Sequence, residues 1–183
     1  MKLSVIIPCY NQEDLVLKAV RSIPARDDIE VIVVDDCSTD GSLDELQIYQ
    51  MYSKQNIILL HNDVNRGVGY TVNRGLDVAQ GEYVVLLGSD DYFVNLSEAI
   101  DELDGTDLIY FDLQINDGTV WKVTNVSKFG YCGSVKFMRR KFIGDTRNLE
   151  TQRQGEDYYF YQELMAKNPT EKFLNKVYKH YNF

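Results

Sequence analysis

Proline, cysteine and tryptophan are scarce in this 183-residue chain, with 3, 3 and 1 copies. So few prolines leave long stretches open to regular structure. The cysteines, Cys9, Cys37 and Cys132, are odd in number and form no C-x-x-C pair. That excludes a disulfide scaffold or thiolate metal knuckle and fits a reducing compartment. Cys9 and Cys37 both sit at strand ends and read as small buried thiols. No apolar run approaches the roughly 18–20 residues needed to span a bilayer. Met1-Lys2 leads straight into a strand rather than a signal peptide. The expected setting is therefore cytoplasmic, extending to the inner face of the membrane. Basic residues are in deficit, 19 Lys and Arg against 28 Asp and Glu, a net charge of −9. This balance excludes a general nucleic-acid binder. Aromatics are not lacking (13 Tyr, 8 Phe), and 44% of residues are hydrophobic, so the chain can bury a core.

What is present is a set of apolar runs, each ending in a polar cluster. Ser4–Pro8 opens into Cys9-Tyr10-Asn11, Val31–Val34 into Asp35-Asp36, and Tyr83–Leu87 into Gly88-Ser89-Asp90-Asp91. Continuous Val/Ile/Leu runs suit strands covered on both faces by helices. In open α/β sheets ligands bind beyond the carboxyl ends of such strands. Two of these ends carry paired carboxylates, which suits a divalent cation and a phosphorylated ligand.

Along the chain, strand and helix alternate. Asn11 is placed as an N-cap, with Leu15, Val16, Ala19, Val20 and Ile23 at helical spacing behind it. Ser38–Ser42 leads into a helix through Leu43 and Leu46. Ile57–Leu60 is a short strand, and Asn65-Arg66-Gly67 starts a helix with Val68, Val72, Leu76 and Ala79 on one face. The fourth strand completes a βαβαβαβ pattern, which implies a mainly parallel sheet. Beyond residue 105, Leu108–Leu113 and Thr119–Val123 read as strands joined by an Asn116-Asp117-Gly118 hairpin turn. A helix is expected from Asp157 to about Lys167, followed by a tail. One domain over 1–183 is expected, with a ligand-binding half (1–104) and an acceptor-side half (105–183).

Several segments together resemble the family 2 inverting glycosyltransferases of GT-A fold. They are Ser4–Asn11 with Glu13, Val34–Ser42, Asn65-Arg66-Gly67, Asn73-Arg74-Gly75-Leu76, Gly81-Glu82-Tyr83, Ser89-Asp90-Asp91, Gly155-Glu156-Asp157 and Val177–Tyr181. The resemblance implies an α/β GT-A nucleotide-diphospho-sugar transferase fold: a mainly parallel Rossmann-like sheet flanked by helices, with a small antiparallel addition. It implies a nucleotide-diphospho-sugar donor, a glycan or lipid-linked acceptor, Mn²⁺ or Mg²⁺, and inversion at the anomeric carbon. Nucleotide binding falls to Pro8, Tyr10, Asn11, Glu13, Asp36, Gly67 and Ser89. Metal binding falls to Asp90, with Asp91 and His180 as weaker candidates. Asp157 is the candidate general base, since inversion needs a carboxylate to take the acceptor's proton. The bland alternatives are a packing tyrosine at Tyr10, a helix-preceding cap at Asp36, and an acidic first helical turn at Glu156-Asp157.

Departures accompany the likeness. The family's Asp-x-Asp-Asp begins here with Gly88, Val72 stands where many relatives carry Arg, and the chain ends at Phe183 where many continue. Arg66 or Arg74 is the candidate substitute for the missing arginine. A uridine donor is expected, and the alternative function is a catalytically silent nucleotide-sugar-binding module acting with a partner. A nucleotidyltransferase would show a Gly-rich basic loop where Pro8-Cys9-Tyr10-Asn11 stands. Acceptor choice is expected in residues 106–155, with Tyr110, Trp121, Phe129 and Tyr131 as sugar-stacking faces. Charge is uneven: 7 Lys/Arg against 22 Asp/Glu in residues 1–121 (−15), and 12 against 6 in residues 122–183 (+6). The basic half, including Lys136, Arg139 and Lys172, Lys176 and Lys179 at near-helical spacing, offers a docking face for anionic lipid or a phosphate-bearing acceptor. The alternative is a solvated surface. A second copy of the chain is a further partner left open.

Overall fold

The computed structural model describes residues 1–123, 133–150 and 156–182. Four parallel strands form one side of the sheet: β1 (Leu3–Cys9), β2 (Ile29–Asp35), β3 (Asn56–His61) and β4 (Tyr83–Leu86). The remaining strands are β5 (Tyr92–Phe93), β6 (Leu108–Ile115), β7 (Val120–Trp121), β8 (Lys136–Arg139) and β9 (Glu171–Tyr181). The order is β3-β2-β1-β4-β8-β6-β9-β5, with β7 paired to β6. β8 runs antiparallel to β4 and β6, and β9 runs parallel to β6. The two halves expected from the sequence thus share one sheet.

Alternation along the strands divides the core. Val5, Ile7, Val31 and Val33 face one side, with Ala19 and Val20 of α1 (Val16–Arg21) and Leu46 of α2 (Ser42–Tyr52). Ile6, Ile32 and Val34 face the other, with Val72 and Leu76 of α3 (Val68–Val78). Phe160, Tyr161 and Leu164 of a late helix, Glu156–Ala166, join this second layer. α3 lies close on β1 at Gly75, where a Cβ would stand 2.5 Å from Ile6 Cγ2. Two short helices, α4 (Leu96–Ile100) and α5 (Arg140–Ile143), follow β5 and β8, so the late helix is α6.

Four expectations are corrected. Asn11 caps no helix: α1 begins at Val16 with no side-chain cap, and Asn11 instead ties two loops together. The stretch with near-helical lysine spacing, read partly as a tail, is the 11-residue strand β9. Lys136 and Lys179 are fully buried, so neither belongs to a basic surface. Tyr110 is fully buried too; it stacks on Phe173 at 4.8 Å and donates to Glu171 Oε1 at 2.9 Å, so it offers no face to a sugar. The hairpin formed as expected, with Leu113 opposite Trp121. Cys132, Phe129, Tyr131 and Gly155 lie outside the described residues.

Candidate active site

The carboxyl ends of β1, β2 and β4 meet in one cleft. Its first part, about 250 Å³, is lined by Pro8, Tyr10, Asp36, Thr71, Ser89 and Asp90 among others. Its second, about 330 Å³, continues past Val72 and Asn148 to Asp157 and Tyr181. Pro8, Val68, Gly88 and Asp90 line both parts, so the two form one continuous trough. Of the expected nucleotide residues, Pro8, Tyr10, Asp36 and Ser89 line it, and so do Asp90, Asp91 and Asp157.

Asn11, Glu13 and Gly67 act behind the lining. Asn11, at φ 52°, accepts the Thr39 N–H on Oδ1 at 2.8 Å, while its own N–H donates to Ser38 Oγ at 2.9 Å. Glu13 Oε2 accepts the Gly41 N–H at 2.9 Å. Together they bind the loop after β1 to the loop after β2, and Gln12 between them lines the cleft instead. Gly67 has φ 86° and ψ 166°, a region open essentially to glycine alone. That conformation aims its N–H at Asp36 Oδ2, 2.8 Å away. Asp36 Oδ1 accepts the Arg66 N–H at 2.9 Å and Asn62 Nδ2 at 2.7 Å. Asp36 therefore anchors the loop after β3 while still lining the cleft. Asp35 points away from the cation role expected of the pair. It is fully buried, and its Oδ2 accepts the Ser38 N–H and lies 2.9 Å from His61 Nδ1.

The acidic turn after β4 separates the two carboxylates that the sequence places side by side. Asp91 is buried, 2.6 Å from the ammonium of fully buried Lys179, and its Oδ1 accepts the Asn182 N–H at 2.8 Å. Its charge is thus committed to β9 and the residue after it. Asp90 is left facing the cleft; burial, then the neighbouring Asp91 charge, raises its pKa above the ordinary value. Gly88 keeps the turn tight, because a Cβ there would stand 2.7 Å from Asp90 Oδ1 and 2.9 Å from Asp91 Oδ2. His180 stacks on Tyr92 at 4.5 Å. Neighbouring strand residues point to opposite faces. Tyr181 is on the cleft side, so His180 is directed away from Asp90.

The described residues contain no cluster of three or more metal-binding side chains. Mg²⁺ and Mn²⁺ sites at phosphates need only one or two carboxylates, the rest of the shell coming from phosphate oxygens and water. Asp90 fits that donor set, and a half-buried carboxylate beside the Asp91 charge gains from a cation. Cys9 also lines the cleft, but burial, then the Asp35 charge, pushes its thiol up to about 12, so it is no nucleophile.

Sequence reasoning did not single out Thr71, Ser134, Asn148 and Tyr181 as lining. Asn148 had a readable signal in Asn73. Asn73 Nδ2 donates to the Asn148 carbonyl and to Glu150 Oε1, both at 3.0 Å, and its Oδ1 accepts the Asn148 N–H at 2.8 Å. Asn73 therefore clamps the 146–150 loop onto α3 beside the cleft. Trp121 does not line the cleft; its ring lies 6.5 Å from that of Tyr181, which does.

The glycosyl transferase family 2 profile matches residues 4–161. A poly(ribitol-phosphate) beta-glucosyltransferase of Bacillus spizizenii is 40% identical over 97 residues, covering 50% of this chain and 15% of that protein. The putative teichuronic acid biosynthesis glycosyltransferase TuaG of Bacillus subtilis is 41% identical over 90 residues, 48% of this chain and 35% of that one. The crystal structure of S. aureus TarS 1-349 in complex with UDP-GlcNAc superposes with a TM-score of 0.86 at 27% identity, over 100% of this chain and 59% of that one. The mannosyltransferase PcManGT from Pyrobaculum calidifontis, in complex with GDP-Man and Mn²⁺, shares the fold at 17% identity and a TM-score of 0.76. The chain thus spans from about a seventh to about three fifths of these proteins' lengths. The architecture is the GT-A fold, and the profile match extends over most of the sequence: the chain belongs to glycosyltransferase family 2.

Proposed function

We propose that this chain forms the catalytic domain of an inverting glycosyltransferase that moves a sugar from a UDP-sugar to a hydroxyl of a glycan or polyol-phosphate acceptor. The observation that carries the reading is that Asp90 and Asp157 line the same cavity, which continues to Pro8, Tyr10 and Asp36. The uridine lies at the Tyr10 and Asp36 end, the diphosphate at Asp90 and Ser89, and the sugar between Asp90 and Asp157. Asp157 takes the proton from the acceptor hydroxyl as that oxygen attacks the anomeric carbon. The bond from that carbon to the diphosphate oxygen breaks, and UDP leaves. Mn²⁺ or Mg²⁺, held by Asp90 and the diphosphate, would offset charge on the leaving group. The acceptor class follows from the relatives' names, which include enzymes acting on poly(ribitol-phosphate).

The test is a donor panel of UDP-, GDP- and dTDP-sugars, each with Mn²⁺ or EDTA, read by calorimetry and by sugar transfer to polyol-phosphate oligomers. Tighter UDP-sugar binding with Mn²⁺, and transfer that depends on it, is the expected result. Equal UDP affinity with Mn²⁺ and EDTA would overturn the metal role. A second reading, a silent nucleotide-sugar-binding module, draws on Gly88 and on the commitment of Asp91 to Lys179, which leave one carboxylate at the turn. Metal-dependent binding without transfer to any acceptor, and without hydrolysis of the donor, would favour it.

A further inference from the structure

We propose that His61, Arg66 and Arg74 form a second anion site, outside the donor cleft, that takes a phosphate-type oxyanion. The three residues line a polar cavity of about 260 Å³ beyond the end of β3, with Asn62, Asp63, Val64 and Tyr70. None of these residues lines the donor cleft. Arg66 and Arg74 belong to a stretch with 7 basic and 22 acidic residues. Even so, among the described residues neither lies within ion-pair distance of a carboxylate. Two guanidiniums converging on one cavity repel each other, and an oxyanion between them offsets that repulsion.

The groups are held ready. Arg74 Nη1 donates to the His61 carbonyl at 2.8 Å and to Asn62 Oδ1. A guanidinium has five N–H donors, so Nε and Nη2 remain to grip an oxyanion in the two-pronged manner arginine favours. Arg66 lies over the Tyr70 ring at 4.9 Å, which limits its rotamers. His61 is oriented by fully buried Asp35, whose Oδ2 is 2.9 Å from Nδ1; in the imidazolium form its Nε2–H is left to donate to an oxyanion. Groups fixed before binding lose little freedom on binding. The two guanidiniums stand against the single carboxylate of Asp63 in the lining, a balance that suits a singly charged phosphodiester as well as free phosphate.

The site is tested by titrating inorganic phosphate, and separately glycerophosphoglycerol, into the intact protein. Binding is followed by NMR at the Arg66 and Arg74 Nε–H groups and the His61 ring. The same titrations are run on Arg66→Ala, which keeps the backbone N–H that Asp36 accepts, and on Asp90→Asn, which alters the donor cleft. We expect saturable shifts with a Kd of about 0.1–10 mM. Affinity should fall about tenfold in Arg66→Ala, the scale of one charge-assisted hydrogen bond, and stay unchanged in Asp90→Asn. Tighter binding of the diester assigns the site to a phosphodiester chain, and tighter binding of phosphate assigns it to the free ion. The proposal is overturned by shifts that never saturate, by an unchanged Arg66→Ala, or by clearly tighter binding in Asp90→Asn, because removing a cleft carboxylate would favour an anion held in the donor cleft.

Discussion

In the proposed reaction, the one proton transfer required is assigned to Asp157. Replacing it with Asn should leave UDP binding intact while sugar transfer falls by roughly 10²–10⁴-fold, the usual contribution of a general base. Calorimetry beside an initial-rate assay checks this, and near wild-type turnover would remove Asp157 from the role. Asp90 makes a prediction of opposite sign for stability and function. Its raised pKa means that the folded state disfavours the anion relative to the unfolded state. Any stabilisation from the group is present below its unfolded pKa and lost as pH rises through the raised folded value. At neutral pH, Asp90→Asn should therefore raise the melting temperature of the ligand-free protein slightly while abolishing metal-dependent UDP binding. A lower melting temperature would show that Asp90 is structural. At Gly67 a Cβ would meet nothing within 4 Å, so the cost of Gly67→Ala is conformational. It should amount to about 1–3 kcal/mol and loosen UDP binding, because the Asp36 bond depends on that conformation. The placement of Asp90 and Asp157 on the cleft was legible because strand ends and helix starts expose short side chains in recognisable strings. The three bonds to Asp36 were not, because they come from a loop some 26–31 residues further along the chain.

At the scale of elements, β1 to β4 were readable as continuous apolar runs and α3 as an apolar face of period 3.6, each bounded by polar turns. β9 was not, and the reason is its lysines. Lys172, Lys176 and Lys179 suggest one helical face, whereas the strand sends them to different fates. Lys172 pairs with Glu102 and Asp104, Lys176 lies 3.5 Å from Glu102, and Lys179 is buried against Asp91. Register shifts in the β6–β9 pairing break the alternation that would have marked a strand. The fates predict a graded outcome in urea denaturation. Lys179→Met leaves Asp91 buried without its counter-charge and should cost about 3–5 kcal/mol. Lys176→Ala, at an exposed pair, should change stability little. Equal effects would show that the buried pair contributes nothing special to joining β9 to the acidic turn.

For the whole molecule, the question is what the charge division between the halves accomplishes. The sequence balance of +6 over residues 122–183 suggested a docking face for anionic lipid, but the fold spends much of that charge internally. The Lys136 ammonium lies 3.1 Å from the centroid of the Tyr161 ring, and Lys179 neutralises Asp91. Lys172 and Lys176 pair with acids of the first half, as Arg147 does with Asp77. Lys167 donates to the Ile143 carbonyl and Thr146 Oγ1. Part of this charge therefore joins the second half to the first, most firmly through buried Lys179 and Asp91, and part is held within the second half. A free Lys or Arg near an anionic surface contributes about 1 kcal/mol to membrane binding, whereas a buried or paired one contributes little. Cosedimentation with anionic liposomes should accordingly be negligible at physiological salt, with at most a weak, salt-sensitive association at low ionic strength. Retention on vesicles at physiological salt would mean that the exposed cations, Lys141 among them, assemble a membrane face despite these pairings.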